Sequence, residues 1–493
     1  MSWIKRIVFV EPNPPDVNVF SGTPLPRLGT VLLCTILKKH GYDVKSYVEV
    51  VKEIDLHGLL SADVVGISTT TSTAPRAYEI ATMLRGEGIA VFMGGPHVTY
   101  LPDEALAHCD FVLRGEADET ILSFIAALES GSGFNEIPGL SYRVDDAITH
   151  NRMPPFYENL DLLPIPDLSV IHGLEKEPYK KLSITPVMTS RGCPFDCHFC
   201  SVTGMFGQKY RFRSKGKVIE ELRIHKDNGG TWVFFYDDNF TAHAKRTKEL
   251  LREMIAQKLT PHWTAQVRVE VAKDKELIDL MRESGCHTVY IGFESINPAT
   301  LKAYNKKQDL ADIEACIKVL HKNNIRIHGM FVFGSDHDTK ETIRETRRFA
   351  KKNKLESVQF LILTPLPGTG CYRDLEKQGR ILTKDWSLYD AHHVVYEPTL
   401  MSPYELQSET FTAMKSFYSI WEIIKSVVHL SVFHTGLKWY GHSMVKQFKR
   451  NSIVFVEHIS RFKAGTPFNL SPQKTAGDLK QKLRAHNEAT PGK

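Results

Sequence analysis

Cysteine is scarce, with eight in 493 residues. That is too few for a disulfide framework and fits a reducing compartment. Long apolar runs are missing as well: no uninterrupted stretch reaches the roughly 18–20 residues that span a bilayer. The opening residues, MSWIKRIVFVEPNPP, hold only a short apolar run before prolines, unlike a secretory leader. Together these absences point to a cytoplasmic protein. A strong overall charge is also lacking. The net charge is +5, and from Gly441 onward ten Lys and Arg face three acids, so the basic excess lies at the C-terminus. The body of the chain is not basic, and nothing favours nucleic acid as a partner.

What is present suits an α/β protein of two or three domains. Residues 5–125 alternate strand-like runs (RIVFV, ADVVGIST, IAVFMGG, FVLRGE) with helical ones, such as LGTVLLCTILKKHGYDV, which breaks at Gly41. This alternation predicts a doubly wound, Rossmann-like parallel sheet over 1–145. Ligands bind such sheets at the strand carboxyl ends, here the loops Glu11–Leu28, Ser68–Ala74, Gly94–Leu101 and Gly115–Glu119. Residues 146–182 are proline-rich and form a connector. A second series over 183–385 has six strands: LSITPVMTS, TWVFFYDDNF, HWTAQVRVE, HTVYIGFES, IRIHGMFVFG and SVQFLILTPLPGT. Six strand–helix units predict a full or partial (β/α) barrel with its site at the strand carboxyl ends. Residues 386–465 read as a helical C-terminal cap, and 466–493 as a disordered tail.

Three of the eight cysteines fall in RGCPFDCHFC, as Cys193, Cys197 and Cys200. The spacing C-x3-C-x2-C puts three thiolates on one short loop, which suits three irons of a 4Fe-4S cluster and leaves the fourth open. Zinc is the alternative, but it usually takes four ligands and paired C-x2-C motifs. His198 is flanked on both sides by candidate ligands and converges poorly with them. Cys34, Cys109, Cys286, Cys316 and Cys371 lie among apolar neighbours and read as core.

This motif, with Phe199 before the last cysteine, resembles the signature of the radical S-adenosylmethionine (SAM) superfamily. The resemblance spans roughly residues 183–370. It implies that SAM chelates the open iron and is cleaved to a 5′-deoxyadenosyl radical. It also implies an electron donor such as flavodoxin or ferredoxin. Further roles follow at the strand ends. Asp238 and Asn239 of YDDNF would accept from the SAM amino group. Arg268 would pair with its carboxylate, Glu294 of GFES would accept from the ribose, and LTPLPGT would lie near the adenine.

The first domain resembles the cobalamin-binding domain of B12-dependent radical SAM enzymes, through ISTTTSTAPRAYEIA, GGPHVTYLPDEAL and VLRGEADETI. The resemblance implies that Gly94 and Gly95 let the backbone approach the macrocycle. Ser68, Thr69 and Thr70 would offer hydroxyls to the nucleotide tail. Pro96, His97, Thr99, Gly115 and Glu116 would line the same rim. After the barrel, Trp421, Phe433, Trp439 and Tyr440 either line an apolar pocket or pack helices. With the basic tail they suggest peripheral contact with an anionic membrane. Lys425, His429 and His434 interrupt this run, so it does not span.

The leading reading is a cobalamin-dependent radical SAM C-methyltransferase acting on a hydrophobic small molecule through a 5′-deoxyadenosyl radical and methylcobalamin. A sister activity, cyclisation or ring rearrangement without methyl transfer, is the first alternative. A non-catalytic cobalamin- or metal-binding regulatory protein is the second. One departure is specific: many methyl-transferring B12 domains carry D-x-H-x-x-G after the first strand, whereas EPNPPDVNVFSGTPLPRLG has no histidine. Cobalamin should therefore bind without a protein histidine on cobalt. Electron paramagnetic resonance of the Co(II) form should show no nitrogen splitting from a protein imidazole, and such splitting would refute the expectation.

Overall fold

The computed structural model describes residues 3–14, 25–428 and 432–461. Most of the first-strand loop, His429 and the expected tail lie outside them.

The first sheet has parallel strands β1 (Arg6–Glu11), β2 (Asp43–Val48), β3 (Val64–Ser68), β4 (Ala90–Gly94) and β5 (Phe111–Leu113), in spatial order β2-β1-β3-β4-β5. These strands are continuous apolar runs because helices cover both faces. Ile7, Val8, Phe9 and Val10 are each at most 2% exposed. Strand order reverses between β1 and β3, so their carboxyl ends flank the crevice where such sheets take ligands. Two further strands, β6 (Leu140–Val144) and β7 (Ala147–His150), extend the sheet as an antiparallel hairpin. The sequence reading had placed this stretch at the domain boundary and in the connector. Its signal is SYRV and AITH on either side of Asp145-Asp146, with Asp145 at positive φ in the turn.

The second sheet comprises β8 (Thr185–Val187), β11 (Trp232–Phe235), β12 (His262–Val267), β13 (Cys286–Glu294), β14 (Arg326–Phe333) and β15 (Ser357–Ile362). All are parallel and run in sequence order, with β8 and β15 as unjoined edges, so the barrel is partial. All six expected strands are present. Between β8 and β11, the two-residue strands β9 (Ser190–Arg191) and β10 (Arg211–Phe212) pair antiparallel and tie both ends of the cysteine loop together.

Helix Pro403–Phe417 runs beside β15. Nearby, the Tyr418 hydroxyl accepts from Val358 N (2.9 Å) and donates to Val358 O (2.8 Å), which satisfies edge-strand backbone. The helices that follow reach two parts of the barrel: Phe448 and Phe455 pack on His393 (5.2 and 4.7 Å between ring centroids), in the segment whose Ala391 O accepts from Ile362 N at the carboxyl end of β15 (2.8 Å). Phe433 packs on His287 (5.2 Å between ring centroids) and under Arg326 (4.5 Å), at the amino ends of β13 and β14. Of the aromatics expected to line a pocket or pack helices, Phe433 packs at the base of the barrel.

The two sheets are joined by a buried ion network. Glu116, from the loop after β5, accepts from Arg191 (2.9 Å) and Arg211 (2.7 Å), and Asp118 pairs with Arg191 at 2.6 Å. All four side chains are at most 10% exposed. Glu116 Oε2 also accepts from Tyr157 N at 2.8 Å. The expected role of Glu116 as a cobalamin contact is corrected, because both carboxylate oxygens are taken up in this seam. Glu116→Gln should leave a buried guanidinium without its carboxylate, at a cost of about 3–5 kcal/mol. Urea unfolding would measure it, and a midpoint equal to that of wild type would show that the seam does not hold the domains.

Candidate functional site

Beyond β8 the chain is fixed before it reaches the cysteines. Asp237, 1% exposed, accepts from Thr189 N (2.7 Å), from Ser190 N (3.0 Å) and from the Thr189 hydroxyl. Arg246 donates to Thr189 Oγ1 and to Thr189 O, each at 2.9 Å. At Gly192, φ is +86° and an added Cβ would lie 2.6 Å from Lys209 O. Only glycine turns the chain into the loop there.

Within the loop, Cys193 N donates to Gly207 O (3.3 Å) and Cys200 N to Cys197 O (3.0 Å). All eight cysteines are free thiols. Cys193, Cys197 and Cys200 are half-buried, whereas the other five are buried, as the sequence reading separated them. Burial raises the Cys193 thiol and pushes Cys200 up to about 12. Such thiols ionise when a metal takes the charge. His198 is turned away from them: its Nε2 lies 3.0 Å from Asp374, and its backbone bonds Tyr304 O and Cys371 N. Phe199 packs edge-on against Tyr304 at 5.0 Å. Among the described residues no three His, Cys, Asp or Glu side chains converge on one metal position. A cube takes one thiolate on each of three irons, and three half-buried cysteines on one loop supply that donor set.

The expected SAM contacts divide. Asp238 keeps an exposed side chain, although protein surrounds it on most sides. Burial first, and then the charge of Asp237, push its carboxyl up to about 7. Asn239 is 3% exposed, and its side chain takes the Thr241 hydroxyl at 3.4 Å. Arg268 is already engaged: it pairs with Glu270 (3.0 Å) and its guanidinium lies 3.8 Å from the centroid of Phe195, inside the cysteine loop. Glu294 ends β13 at φ +61°, rare for a residue with a side chain, beside a bulge between Gly292 and Glu294. Its carboxylate meets Lys306 at 2.8 Å.

The cobalamin rim is more inward-looking than expected. Thr69 is fully buried, and its hydroxyl donates to Gly94 O at 2.9 Å. Gly95 has φ +102°, and an added Cβ would lie 2.4 Å from Thr69 O, so its freedom serves this loop-to-loop contact. Thr99 accepts from Gly115 N (3.1 Å) and donates to Gly95 O (2.9 Å), knitting two rim loops. His97 is corrected as a rim contact. It is 1% exposed, lies 3.1 Å from the Tyr78 hydroxyl, and packs against Trp386 at 5.2 Å. Trp386 itself donates to Glu104 at 2.7 Å. Ser68, Thr70, Gly94, Pro96 and Gly115 remain partly open, the first two at the switch point, where hydroxyls fit a polar cofactor tail. Burial raises the Tyr236 phenol to about 12, with the charge of Glu11 adding to the rise, so the ends of β1 and β11 lie near each other. Sequence reasoning missed Trp386, Asp237, Arg191 and Arg211, whose partners are distant in the chain.

A doubly wound cofactor sheet set against a partial barrel with a three-cysteine loop defines a radical SAM enzyme with a second cofactor domain. Residues 187–350 match the radical SAM superfamily model, and residues 16–125 match that of the B12 binding domain. An uncharacterised methyltransferase of Pyrococcus horikoshii is 33% identical over 79% of this chain and 87% of its own. The bacteriochlorophyllide d C-12(1)-methyltransferase of Chlorobaculum tepidum is 31% identical over 90% of this chain and 94% of its own. An anaerobic magnesium-protoporphyrin IX monomethyl ester cyclase of Cereibacter sphaeroides is 27% identical over 88% and 73%. Among solved structures, the radical SAM methyltransferase TsrM from Kitasatospora setae, with cobalamin and a 4Fe-4S cluster bound, superposes with a TM-score of 0.71. It is 15% identical, over 92% of this chain and 100% of its own. The chain belongs to the B12-binding-domain-containing radical SAM enzymes.

Asp238 also sets a pH dependence. Its folded-state value, about 7, lies above its ordinary 3.8, so the fold binds the proton more tightly than the unfolded chain does. Stability therefore falls as pH rises through that window, and the penalty is complete above it. In the cofactor-free protein, the thermal midpoint of Asp238→Asn should gain on wild type between about pH 4 and about pH 8. A constant difference between the two proteins would reject this.

Proposed function

We propose that this enzyme transfers a methyl group derived from SAM to an unactivated carbon of a hydrophobic small molecule, such as a tetrapyrrole or polycyclic lipid. The observation that carries the proposal is the joining of the cobalamin rim to the cluster loop, by a buried seam that ends two residues before Cys193. Two cofactors held on facing rims suit one substrate between them. When bound, the cluster with SAM supplies a 5′-deoxyadenosyl radical for hydrogen removal, and cobalamin supplies the methyl group. Cys193, Cys197 and Cys200 hold three irons. Asp238 accepts from the SAM ammonium, and Glu294, held by Lys306, accepts from its ribose. Arg268 sets the position of Phe195 in the loop. Ser68 and Thr70 receive the polar tail of cobalamin. A flavodoxin- or ferredoxin-like donor supplies electrons.

The cyclase relative makes ring formation without methyl transfer the second reading. Product analysis separates the two. Methyl transfer should yield S-adenosylhomocysteine and 5′-deoxyadenosine in parallel, about one each per methylated product, with substrate deuterium in the deoxyadenosine. Replacing the three cysteines with alanine should remove both products along with the iron. Deoxyadenosine and altered substrate with no S-adenosylhomocysteine would reject methyl transfer.

We also propose that the C-terminal helices meet an anionic membrane surface. No helix among the described residues is long and apolar enough to cross a membrane. Among the described residues, ten of the 18 exposed large apolar side chains lie between residues 420 and 461. Helix Ile420–Val428 turns Ile420, Trp421, Ile424, Val427 and Val428 outward at helical spacing, Trp421 being 70% exposed. Trp439 is 61% exposed, and Lys446, Lys449 and Arg450 follow. Cosedimentation with vesicles containing phosphatidylserine should fall several-fold in a Trp421→Glu, Val428→Glu variant. Equal, negligible binding by both proteins would end the idea.

A further inference from the structure

Tyr100 closes the short helix Pro96–Tyr100 on the rim loop after β4, and its side chain leaves its own domain. A Cβ added at Gly368 would lie 2.5 Å from three atoms of the Tyr100 ring. A Cβ added at Gly204 would lie 2.3 Å from its hydroxyl. Gly368 belongs to the loop after β15, in LTPLPGT, and Gly204 to helix Val202–Phe206, directly after Cys200. A single side chain from the cobalamin domain thus touches both the cluster-loop helix and the loop after the last barrel strand.

The two glycines differ in meaning. At Gly368, φ is +87°, so the backbone alone accounts for glycine. Gly204 lies within a helix and has no such conformation, and glycine there is about 1 kcal/mol poorer than alanine. Space for Tyr100 is the reason for it. The hydroxyl of Tyr100 is buried and meets no hydrogen-bond partner among the described residues. Burial raises its pKa and so disfavours ionisation, partly offset by the charge of Arg373. Stability alone would favour phenylalanine at this position. Trp386 reciprocates from the other side: it follows the barrel and packs on His97 of the same rim helix.

We propose that Tyr100 is a positioning residue, wedged between Gly204 and Gly368 to set the spacing of the cobalamin rim from the cysteine loop. The functional half of this rests on the cofactor reading above. A misplacement of about 1 Å between reacting groups costs about a hundredfold in rate, so a rigid spacer matters.

The test has two arms. In the cofactor-free protein, hydrogen–deuterium exchange should rise in both 94–101 and 202–206 for Tyr100→Ala, and in 202–206 alone for Tyr100→Phe, which keeps the ring against Gly368 but loses the hydroxyl against Gly204. Unchanged exchange in Tyr100→Ala overturns the wedge whether or not the protein binds cobalamin. In the reconstituted protein, the magnetic coupling between reduced cluster and Co(II) cobalamin should change in Tyr100→Ala, and by less in Tyr100→Phe, which keeps the ring against Gly368. Methylated product per deoxyadenosine should fall about tenfold or more in the former. Gly204→Ala, which favours the helix but invades the wedge, should change the coupling as Tyr100→Ala does. Wild-type coupling in both altered proteins refutes the proposal. Failure of the wild type to bind cobalamin would refute the functional reading instead, and the exchange arm would still decide the wedge.

Discussion

The arrangement depends on two carboxylates meeting two guanidiniums in a seam between sheets. Glu116 and Asp118 balance Arg191 and Arg211 in charge, and all four are withdrawn from water. Burial alone would lower the ionisation of Arg191, but Asp118 and then Glu116 more than offset it, so it stays charged. A buried network of this kind adds little against an apolar seam of equal volume, yet losing one member is costly. What it adds is register. The fork of Arg191 takes both oxygens of Asp118, at 2.6 and 3.1 Å, so the domains are held in angle as well as in distance.

That angle passes directly into the cluster loop. Arg191 belongs to β9, whose pairing with β10 closes the loop, and Arg211 belongs to β10. The same two residues that face the cobalamin domain therefore hold the two ends of the segment carrying Cys193, Cys197 and Cys200. Asp237 and Arg246 fix the chain from the barrel side. The thiols sit in a loop held on both flanks, with few internal bonds of its own. This suits a site where metal binding supplies the remaining order.

Much of this was legible in the sequence because it is local. Strand runs with period and length, the C-x3-C-x2-C spacing and the glycine-punctuated rim loops all lie within a dozen residues. All six barrel strands and the parallel order of the first domain follow from them. What was not legible is long-range pairing. Glu116 sits in a rim loop and looks like a ligand contact, but its partners lie 75 and 95 residues on. His97 lies between rim residues, yet a helical turn points it inward to Tyr78 and Trp386. The β6–β7 hairpin was hidden because an Asp-Asp turn is a weaker signal than Asn-Gly or Asp-Gly. Arg268 stands at the right strand end, but Glu270 two residues later claims it.

The placement of the C-terminal helices bears on how substrate reaches the site. Phe433 covers the amino ends of β13 and β14, while the cysteines and Asp238 lie at the opposite, carboxyl ends. The segment from Trp386 to Tyr396 returns to the carboxyl ends: Trp386 packs on the cobalamin rim, Ala391 O accepts from Ile362 N, and the Tyr396 hydroxyl donates to Gly334 O. The ion seam and, as proposed, Tyr100 join the two rims beside the barrel mouth. Association through the exposed stripe of Ile420–Val428 would engage a different part of the molecule, on helices that also reach the barrel base. A membrane contact of this kind leaves the mouth unblocked, so surface attachment and turnover are compatible within one rigid frame.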